Sequence, residues 1–326
     1  MEKIKLGVIG TGMAWEKLHW PALQQLREQY EVVAVCDTDI GKAQGVARQL
    51  GGLPPEQIYS DHRHMLRRED IDAVDVLVPI AENFETARDV IRAGKGLIAE
   101  KPLAATLEGA KELIALKDRH GTKMMVAENL RYEDCSMIIK QALGEIGPVA
   151  YFILNNAAGF EQDMTGDSFA AKEWRQHPAF PGGIFLDGGV HDIALMRYLF
   201  GDAEDLHALA ARQTQDYCPW RSVNAILRFA GGVIGCYNFY SPNAELAAPP
   251  VGLRIYGSQG EIVLEGKNCG TVNLYYKDGR SEQKPFAPGR GYYNELLNFH
   301  SGDIISTPEK ALGDMELIYR IMEAVH

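Results

Sequence analysis

The sequence predicts two domains: an α/β domain over residues 1–125, and an α+β domain with a large, mainly antiparallel open sheet over residues 126–326. The chain has 326 residues, 46% of them hydrophobic, which is enough to bury two cores. Up to about residue 125, strand and helix patterns alternate as a parallel sheet requires. After about residue 148, strand patterns instead follow one another directly.

The first domain begins with an apolar strand pattern over Ile4–Ile9, which leads through a glycine turn into a helical pattern over residues 16–29. Glycines at 94 and 121 close two later helices. The other predicted strands cover residues 31–36, 71–78, 96–99 and 123–127, and the other predicted helices cover residues 84–93 and 107–120.

The second domain shows turn dipeptides between short alternating patterns, as hairpins require. The clearest turns are Gly231-Gly232 and Asp278-Gly279. Two helices are expected at the end of the chain, over residues 292–305 and 308–326. The predicted strands cover residues 149–155, 206–212, 222–229, 233–240, 253–257, 261–265 and 271–276.

The glycine turn after the first strand matches most of a dinucleotide-binding fingerprint. Gly10 permits a tight turn, and Gly12 lets the backbone approach a pyrophosphate, with Met13 and Ala14 next to it at the start of the helix. The third position departs from the pattern, because Trp15 stands where a glycine or alanine normally allows close helix packing. Either the first helical turn is shifted, or the indole covers the phosphates or faces the substrate groove.

The second strand ends at Asp37, about 25 residues beyond the glycines, where a carboxylate that binds ribose is expected. Asp39 follows closely, and no basic residue occurs before Lys42. Two carboxylates would repel a 2′-phosphate, so the sequence favours NAD over NADP. The alternative is that Asp37 caps the next helix.

A lysine stands at the end of the predicted strand 96–99, in the sequence Glu100-Lys101-Pro102. In open parallel sheets the carboxyl ends of the strands are where ligands bind. Lys101, with Glu100 beside it, is therefore a candidate to exchange a proton during hydride transfer. The alternative is a solvated lysine at the end of a strand.

A second candidate constellation lies in the second domain, where Asp187 precedes His191 by four residues. In a helix the two would share one face, and a histidine oriented by a carboxylate is a common general base. Gly188 and Gly189 between them indicate close backbone approach, to the nicotinamide or to another element. The alternative is that Asp187 caps a helix and that the His191 imidazole is hydrogen-bonded within the core.

Composition excludes several classes of function. The net charge of -11 disfavours nucleic acid and anionic membranes as partners. No run of about 18 apolar residues and no signal peptide is present, which predicts a cytoplasmic protein. Five scattered cysteines without a CxxC pair suit a reducing compartment and argue against a zinc cluster. The pair His62-x-His64 lies among arginines without carboxylate or thiolate partners, so no metal site is predicted.

Together these residues resemble the Gfo/Idh/MocA family, which includes glucose-fructose oxidoreductase and inositol dehydrogenase. The likeness covers essentially the whole chain, and the order and spacing of its motifs are specific. The motifs are Gly10-x-Gly12, His19-Trp20-Pro21-Ala22-Leu23, Val78-Pro79, Glu100-Lys101-Pro102, Asn129-Leu130-Arg131-Tyr132, Trp174-Arg175, and Gly182-Gly183 leading to Asp187-x-x-x-His191.

The resemblance implies a Rossmann NAD-binding domain and a substrate domain. Lys101 would correspond to the lysine that contacts both the nicotinamide and the reacting hydroxyl. Asp187 and His191 would be the carboxylate and the imidazole of the substrate site. His191 would remove the hydroxyl proton, Asp187 would orient His191, and Lys101 would polarise the oxygen, although the family varies in which of Lys101 and His191 is the main proton carrier.

The resemblance also implies contacts to the cofactor. After Pro79 the family often has an asparagine and, three residues later, a histidine, whereas this chain has Ile80-Ala81-Glu82-Asn83. Asn83 is therefore expected to take the polar role beside the nicotinamide. The remaining residues expected near the cofactor are Glu100, Asn129, Trp174 and Arg175; for the last two, a loop anchor and a surface ion pair are the alternative.

The function expected from the resemblance is an NAD-dependent oxidoreductase that acts on a secondary alcohol or ketone of a sugar, cyclitol or related small molecule. Family members commonly associate through the second sheet, so a homodimer or homotetramer is expected. One alternative is a NAD(H)-binding sensor without catalysis. Another is a family enzyme with different chemistry, such as C=N reduction or redox-assisted glycoside cleavage.

Overall fold

The computed structural model describes residues 2–157, 159–161, 164–241, 246–247 and 251–325. The chain separates into two compact units, Met1–Glu128 with Tyr292–Leu312, and Asn129–Gly291 with Gly313–His326. The sequence had placed everything after residue 125 in the second domain. Segment 292–312 belongs with the first unit because it bonds to that unit's strands: the Tyr30 hydroxyl donates to the Leu296 carbonyl (2.5 Å) and the Val126 amide to the Ser306 carbonyl (3.0 Å).

A six-stranded parallel sheet forms the centre of the first unit. The strand order is β3-β2-β1-β4-β5-β6, the order of dinucleotide-binding folds. The strands are β1 (Ile4–Ile9), β2 (Tyr30–Cys36), β3 (Ile58–Tyr59), β4 (Ala73–Val76), β5 (Gly96–Glu100) and β6 (Met124–Ala127). Apolar side chains fill both faces of the central strands, which explains their nearly continuous hydrophobic sequences.

Among the predicted helices of the first unit, α5 has the expected bounds, whereas α4 begins at Ile80 rather than at residue 84. The left-handed Gly121 ends α5, as the sequence predicted, and a Thr106 side chain caps its start. The first helix is shorter than predicted, since helical backbone runs only from Met13 to Leu23. The helices are α1 (Trp20–Leu23), α2 (Ile40–Gln49), α3 (His62–Met65), α4 (Ile80–Arg92) and α5 (Leu107–His120).

An eight-stranded sheet dominates the second unit, in the order β14-β13-β12-β11-β7-β10-β9-β8. Only β7 and β10 pair in parallel, which confirms the mainly antiparallel prediction. The sequence missed β14, an edge strand of polar residues without an alternating apolar pattern. The strands are β7 (Val149–Ala157), β8 (Ala203–Arg212), β9 (Trp220–Phe229), β10 (Ile234–Tyr240), β11 (Gly252–Gly257), β12 (Gly260–Leu264), β13 (Thr271–Tyr276) and β14 (Ser281–Pro285).

The second sheet has one buried face and one open face. On the buried face, the Phe185 ring contacts the rings of Trp220, Tyr237 and Phe239. Along β9 every second side chain is buried, as a half-covered sheet requires. Helix α9 supplies apolar side chains over nearly its whole surface, which is typical of a helix enclosed in a core.

The remaining helices are α6 (Asp134–Ala142), α7 (Glu173–Gln176), α8 (Ile184–Asp187), α9 (Gly189–Phe200), α10 (Gly291–Ser301) and α11 (Pro308–Ala324). Both terminal helices exist, although each is shorter than predicted; His326, the last residue of the predicted helix, lies outside the described residues. None of the helices in the described chain is long and apolar enough to span a membrane.

Candidate cofactor and catalytic site

The turn after β1 can form only with glycine at position 10. Gly10 has a φ of +90°, and a Cβ atom there would lie 2.3 Å from the carbonyl oxygen of Leu77. Gly12 differs, because a Cβ atom there would meet nothing within 4 Å. Gly10 therefore serves the fold itself, while Gly12 leaves open space beside Met13 and Ala14, where the fingerprint places a pyrophosphate.

Asp37 joins the end of β2 to the glycine turn. Its Oδ2 accepts hydrogen bonds from the backbone amide and the hydroxyl of Thr11, at 2.8 and 2.9 Å. Its Oδ1 accepts from the amide of Asp39 at 2.9 Å. Asp39, not Asp37, caps α2 by accepting from the Gly41 amide, so the helix-cap alternative for Asp37 is wrong. The residues present thus fit the adenosine and pyrophosphate end of NAD.

Trp15 is fully buried and does not cover the open side of the turn. The helix widens into a π-helical turn over Trp15–His19, and the indole stacks on Trp20 with ring centroids 5.4 Å apart. A large ring therefore occupies the place where glycine or alanine normally lets the helix pack closely, and the backbone makes room by a wider turn. Of the three expectations for Trp15, the shifted helical turn is the one observed.

Asn83 supports the loop that follows β5. Its side-chain amide donates to the carbonyl oxygens of Glu100 and Pro102, at 3.2 and 3.0 Å, and only 1% of the residue is exposed. The Nδ2 group is thus used within the protein, whereas Oδ1 has no hydrogen-bond partner among the described residues, and the role of Asn83 beside the nicotinamide stays a prediction. Pro79 is the N-cap of α4, which begins at Ile80, three residues before Asn83.

His19 lies in the first unit and was not selected from the sequence as a site residue. It is fully buried, with Nδ1 2.9 Å from Oδ2 of Asp75 and Nε2 3.1 Å from Oε1 of Glu100. Burial disfavours the imidazolium, but the attraction and hydrogen bonds of Asp75 and Glu100 outweigh it and hold the pKa of His19 well above its usual value. His19 is therefore charged and donates from both nitrogens. In the sequence, only its place in the motif His19–Leu23 indicated that His19 has a role in the site.

Glu295 of α10 is buried beside this group. Neither carboxylate oxygen has a hydrogen-bond partner among the described residues. Burial, with the negative charges of Glu100 and Glu128 nearby, raises the pKa of Glu295 well above its usual value and so favours the protonated form. The sequence gave no reason to select Glu295, because its helix lies almost 200 residues beyond Glu100.

In the second unit, Arg175 holds Asp187. The guanidinium Nε donates to Oδ2 of Asp187 at 2.6 Å, and the same guanidinium lies over the rings of Trp174 and Phe169, at 4.1 and 5.4 Å from their centroids. Asp187 is 4% exposed and ends α8 rather than capping α9, so the helix-cap alternative is wrong. Arg175 thus orients the carboxylate that the sequence proposed for the substrate site.

The glycines between Asp187 and His191 serve close packing against another element. A Cβ atom on Gly189 would lie 3.2 Å from the hydroxyl of Tyr237 and 3.3 Å from the ring of Phe185. That hydroxyl donates to Oδ2 of the buried Asp192 at 2.8 Å. His191 itself is half-buried in the first turn of α9.

Asp192 was not predicted, although it directly follows His191 in the chain. Besides the Tyr237 hydroxyl, it accepts from the Asn156 amide at 2.6 Å. Burial raises the pKa of Asp192, and these two hydrogen bonds oppose the shift. Adjacent residues of a helix point to different faces, which is why a search for partners of His191 at helical spacing does not select Asp192.

The predicted site residues therefore fall into two groups. The first unit holds the glycine turn, Asp37, Pro79, Asn83 and Glu100-Lys101. The second unit holds Asn129, Trp174-Arg175, Asp187 and His191; the amide group of Asn129, which is 7% exposed, lies 3.4 Å from Oε1 of Glu133. Within the described ranges no three His, Cys, Asp or Glu side chains are arranged to hold a metal ion.

Known proteins show the same two parts. A family model described as "Oxidoreductase family, NAD-binding Rossmann fold" matches residues 4–128, and one described as "GFO/IDH/MocA C-terminal domain" matches residues 140–263. The chain is 28% identical to the uncharacterized protein YMR315W of Saccharomyces cerevisiae, over 96% of this chain and 90% of that protein. It is 30% identical to 1,5-anhydro-D-fructose reductase of Ensifer adhaerens, over 83% and 80%. A solved oxidoreductase from Thermotoga maritima superposes with a TM-score of 0.86 at 25% identity, over 99% and 97% of the chains.

The two glycines of the turn are expected to respond differently to alanine. Gly10→Ala should lower the free energy of unfolding by about 1–3 kcal/mol, because alanine is strained at positive φ and its Cβ meets the Leu77 carbonyl. Gly12→Ala should leave stability nearly unchanged but weaken NADH binding by about tenfold or more, since the added methyl group occupies the open side of the turn. Urea denaturation measures the free energy of unfolding, and fluorescence titration with NADH measures the affinity for the cofactor. Unchanged NADH affinity in Gly12→Ala would contradict the assignment of the turn.

Proposed function

Because the chain belongs to the Gfo/Idh/MocA family of NAD-binding oxidoreductases, we propose that it transfers a hydride between NAD and a secondary alcohol or ketone of a sugar, cyclitol or related polyhydroxylated molecule. The observation that carries this proposal is Lys101 at the carboxyl end of β5. Its loop is braced on one side by Asn83 and on the other by the Glu100–His19 hydrogen bond. Such bracing is what a group that exchanges protons with a substrate needs.

The residues proposed to hold the cofactor begin with the glycine turn. Gly12, Met13 and Ala14 would bind the pyrophosphate, and Asp37 would accept hydrogen bonds from the adenosine ribose. The absence of a basic residue between Asp37 and Lys42 favours NAD over NADP. When bound, the cofactor supplies a hydride acceptor or donor at C4 of its nicotinamide ring. Pro79, Glu100, Asn129, Trp174 and Arg175 are the further residues proposed near it.

The proposed catalytic residues are Lys101, Asp187 and His191. His191 acts as general base toward the substrate hydroxyl, and Lys101 polarises the same oxygen. Asp187 is fixed by Arg175 and would orient His191. The reductase of Ensifer adhaerens is similar over most of the chain and is named for a sugar-derived ketone, which supports a sugar-like substrate class.

Replacement of the proposed proton carriers should abolish most turnover. A panel of sugars, inositols, sugar acids and their phosphates, assayed for NADH formation, first identifies a substrate. With it, Lys101→Met and His191→Asn should each lower kcat by about 10²-fold or more and leave NADH affinity nearly intact, because general acid-base groups typically contribute 10²–10⁴.

Matched controls lie outside the proposed site and the proposed interface. Lys95→Met removes a lysine at the other end of β5, and His120→Asn removes an exposed histidine at the end of α5; both should keep wild-type kcat. If Lys101→Met and His191→Asn both retain more than about half of wild-type kcat, the catalytic assignment fails, and a NAD(H)-binding sensor becomes the better description.

Cofactor preference follows from Asp37. NADH should bind about tenfold or more tightly than NADPH, a difference of about 1.4 kcal/mol, because the carboxylate accepts from ribose hydroxyls and repels a 2′-phosphate. Asp37→Ser should reduce this preference, whereas Thr11→Val, which removes a neutral donor to the same carboxylate, should not. Titration of protein fluorescence with NADH and with NADPH measures the preference. Equal affinities in the wild type would refute the assignment of Asp37 to the ribose.

We also propose that two copies of the chain associate through the open face of the second sheet. Large apolar side chains lie exposed there on neighbouring strands: Leu209 on β8 (80% exposed), Ile226 on β9 (54%) and Tyr151 on β7 (44%). Asn224, Asn238 and Asn155 form a hydrogen-bonded row across the same face. Exposed apolar side chains among polar neighbours on one sheet face are typical of an interface between proteins.

Charge placed on this face should separate the copies. Ile226→Lys is expected to convert a dimer or tetramer into a smaller species, because a lysine would be buried without a partner. Ile40→Lys, at an equally apolar and exposed position of the first unit, should leave the assembly unchanged. Light scattering after size-exclusion chromatography measures the mass. A wild-type monomer at micromolar concentration, or an unaffected Ile226→Lys oligomer, would refute this interface.

A further inference from the structure

His19 is held by carboxylates from two different strands. Asp75 is the third residue of β4 and Glu100 the last residue of β5, and His19 donates one hydrogen bond to each. All of its surface is buried, so the imidazolium has no access to water. A buried charge is tolerated only when it is paired and hydrogen-bonded, and both conditions are met here.

Acidic side chains from several elements lie around His19. Asp75 and Glu100 bond to it directly, Glu128 follows β6, and the pKa of Glu295 on α10 is raised by burial. The Tyr292 ring, one turn before Glu295, lies 5.8 Å from the imidazole. Further away, the pKa of Tyr30 is raised by burial and by Asp75, so this hydroxyl adds no charge. His19 thus pairs with two of the carboxylates of this cluster.

Glu100 connects this cluster to the backbone of Lys101. Its Oε1 accepts from His19, and its Oε2 accepts from the backbone amide of Lys101 at 3.2 Å. The Glu100 carbonyl in turn accepts from Asn83. The carboxylate cannot rotate without breaking the bond to His19, so the orientation of the peptide that precedes the Lys101 side chain depends on a residue of the first helix.

We propose that His19 is a positioning residue for Lys101, acting through the carboxylate of Glu100. An effect of His19 on turnover is expected only if the proposed function is right. The coupling of His19 to the Lys101 backbone rests on the two hydrogen bonds of the Glu100 carboxylate alone. The histidine touches neither substrate nor cofactor. It fixes the loop from which Lys101 reaches the reacting oxygen.

Two substitutions of His19 each remove one of its two hydrogen bonds and keep the other. The amide nitrogen of asparagine occupies the place of Nδ1, so His19→Asn keeps a donor to Asp75 and loses the donor to Glu100. The amide nitrogen of glutamine occupies the place of Nε2, so His19→Gln keeps the donor to Glu100 and loses the one to Asp75. The matched control is His62→Asn, which removes the Nε2 donor from another histidine–aspartate pair of the same unit, in which Nε2 lies 3.1 Å from Oδ2 of Asp89.

The first readout is hydrogen exchange at the Lys101 amide, measured without cofactor or substrate. In His19→Asn this amide should exchange about tenfold or more faster, a change of about 1.4 kcal/mol in its protection. The Asp39 amide, which also donates to a carboxylate, and the amides of β1 should change much less and report any general loss of stability. His19→Gln should retain most of the protection, and His62→Asn all of it.

The second readout is kinetic, with the substrate found by the panel. His19→Asn should lower kcat by about 10- to 10²-fold with NADH affinity within about threefold of wild type, because small misplacements of a catalytic group cost this much. His19→Gln should recover most of the loss. Glu100→Gln and the double variant His19→Asn with Glu100→Gln should lose about the same kcat, since residues acting in one chain of contacts are not additive.

The outcomes distinguish the two proposals. Unchanged exchange at Lys101 in His19→Asn overturns the positioning role, as does faster exchange with unchanged kcat. Additive losses in the double variant also overturn it. If the wild type turns over no substrate of the panel, the proposed function fails, and faster exchange in His19→Asn still supports the coupling between His19 and Lys101.

Discussion

The ion pair of His19 with Asp75 and Glu100 is the interaction on which the first unit most depends. Removing one partner from a buried pair typically costs about 3–5 kcal/mol, because the remaining charge has no water to solvate it. The pairing joins the first helix to two adjacent strands, and those strands lead to the loops where the cofactor and Lys101 are proposed to act. Stability and placement of Lys101 therefore have the same physical origin.

Glu295 adds a further buried carboxyl group to the same cluster. Its burial beside Glu100 and Glu128 raises its pKa, which favours the protonated form and thereby reduces repulsion within the cluster. Helix α10 brings it there from a point in the chain far beyond the parallel sheet. The return of segment 292–312 to the first unit is thus tied to the charge balance of the cluster as well as to the packing of apolar side chains.

In the second unit, buried polar groups are fixed against a sheet that is covered on one face only. The Arg175 guanidinium lies over two aromatic rings and bonds to Asp187, while Tyr237 from β10 bonds to Asp192 through the gap that Gly189 leaves. These polar residues are held by partners in other elements rather than by their own helix. The same sheet leaves apolar side chains exposed on its other face, which a partner surface can cover.

The sequence by itself determined the two-part architecture, most strands, the ends of α5, and the need for glycine at position 10. These depend on the period of apolar residues and on local backbone limits, both of which are properties of neighbouring residues. Glycine spacing and the Glu100-Lys101-Pro102 motif also selected the candidate site residues. The boundaries of the first helix were wrong, because a buried Trp15 imposes a π-helical turn that no periodicity reveals.

Only the tertiary structure decided which polar groups are paired. His19 and Glu100 are 81 residues apart, and Glu295 is farther still, so no local pattern indicates that they share one buried cluster. The same is true of Asn83 beneath the lysine loop and of Asp192 against Tyr237. Pairing of buried charges depends on three-dimensional distance and on the exclusion of water, and neither is encoded in the spacing of residues along the chain.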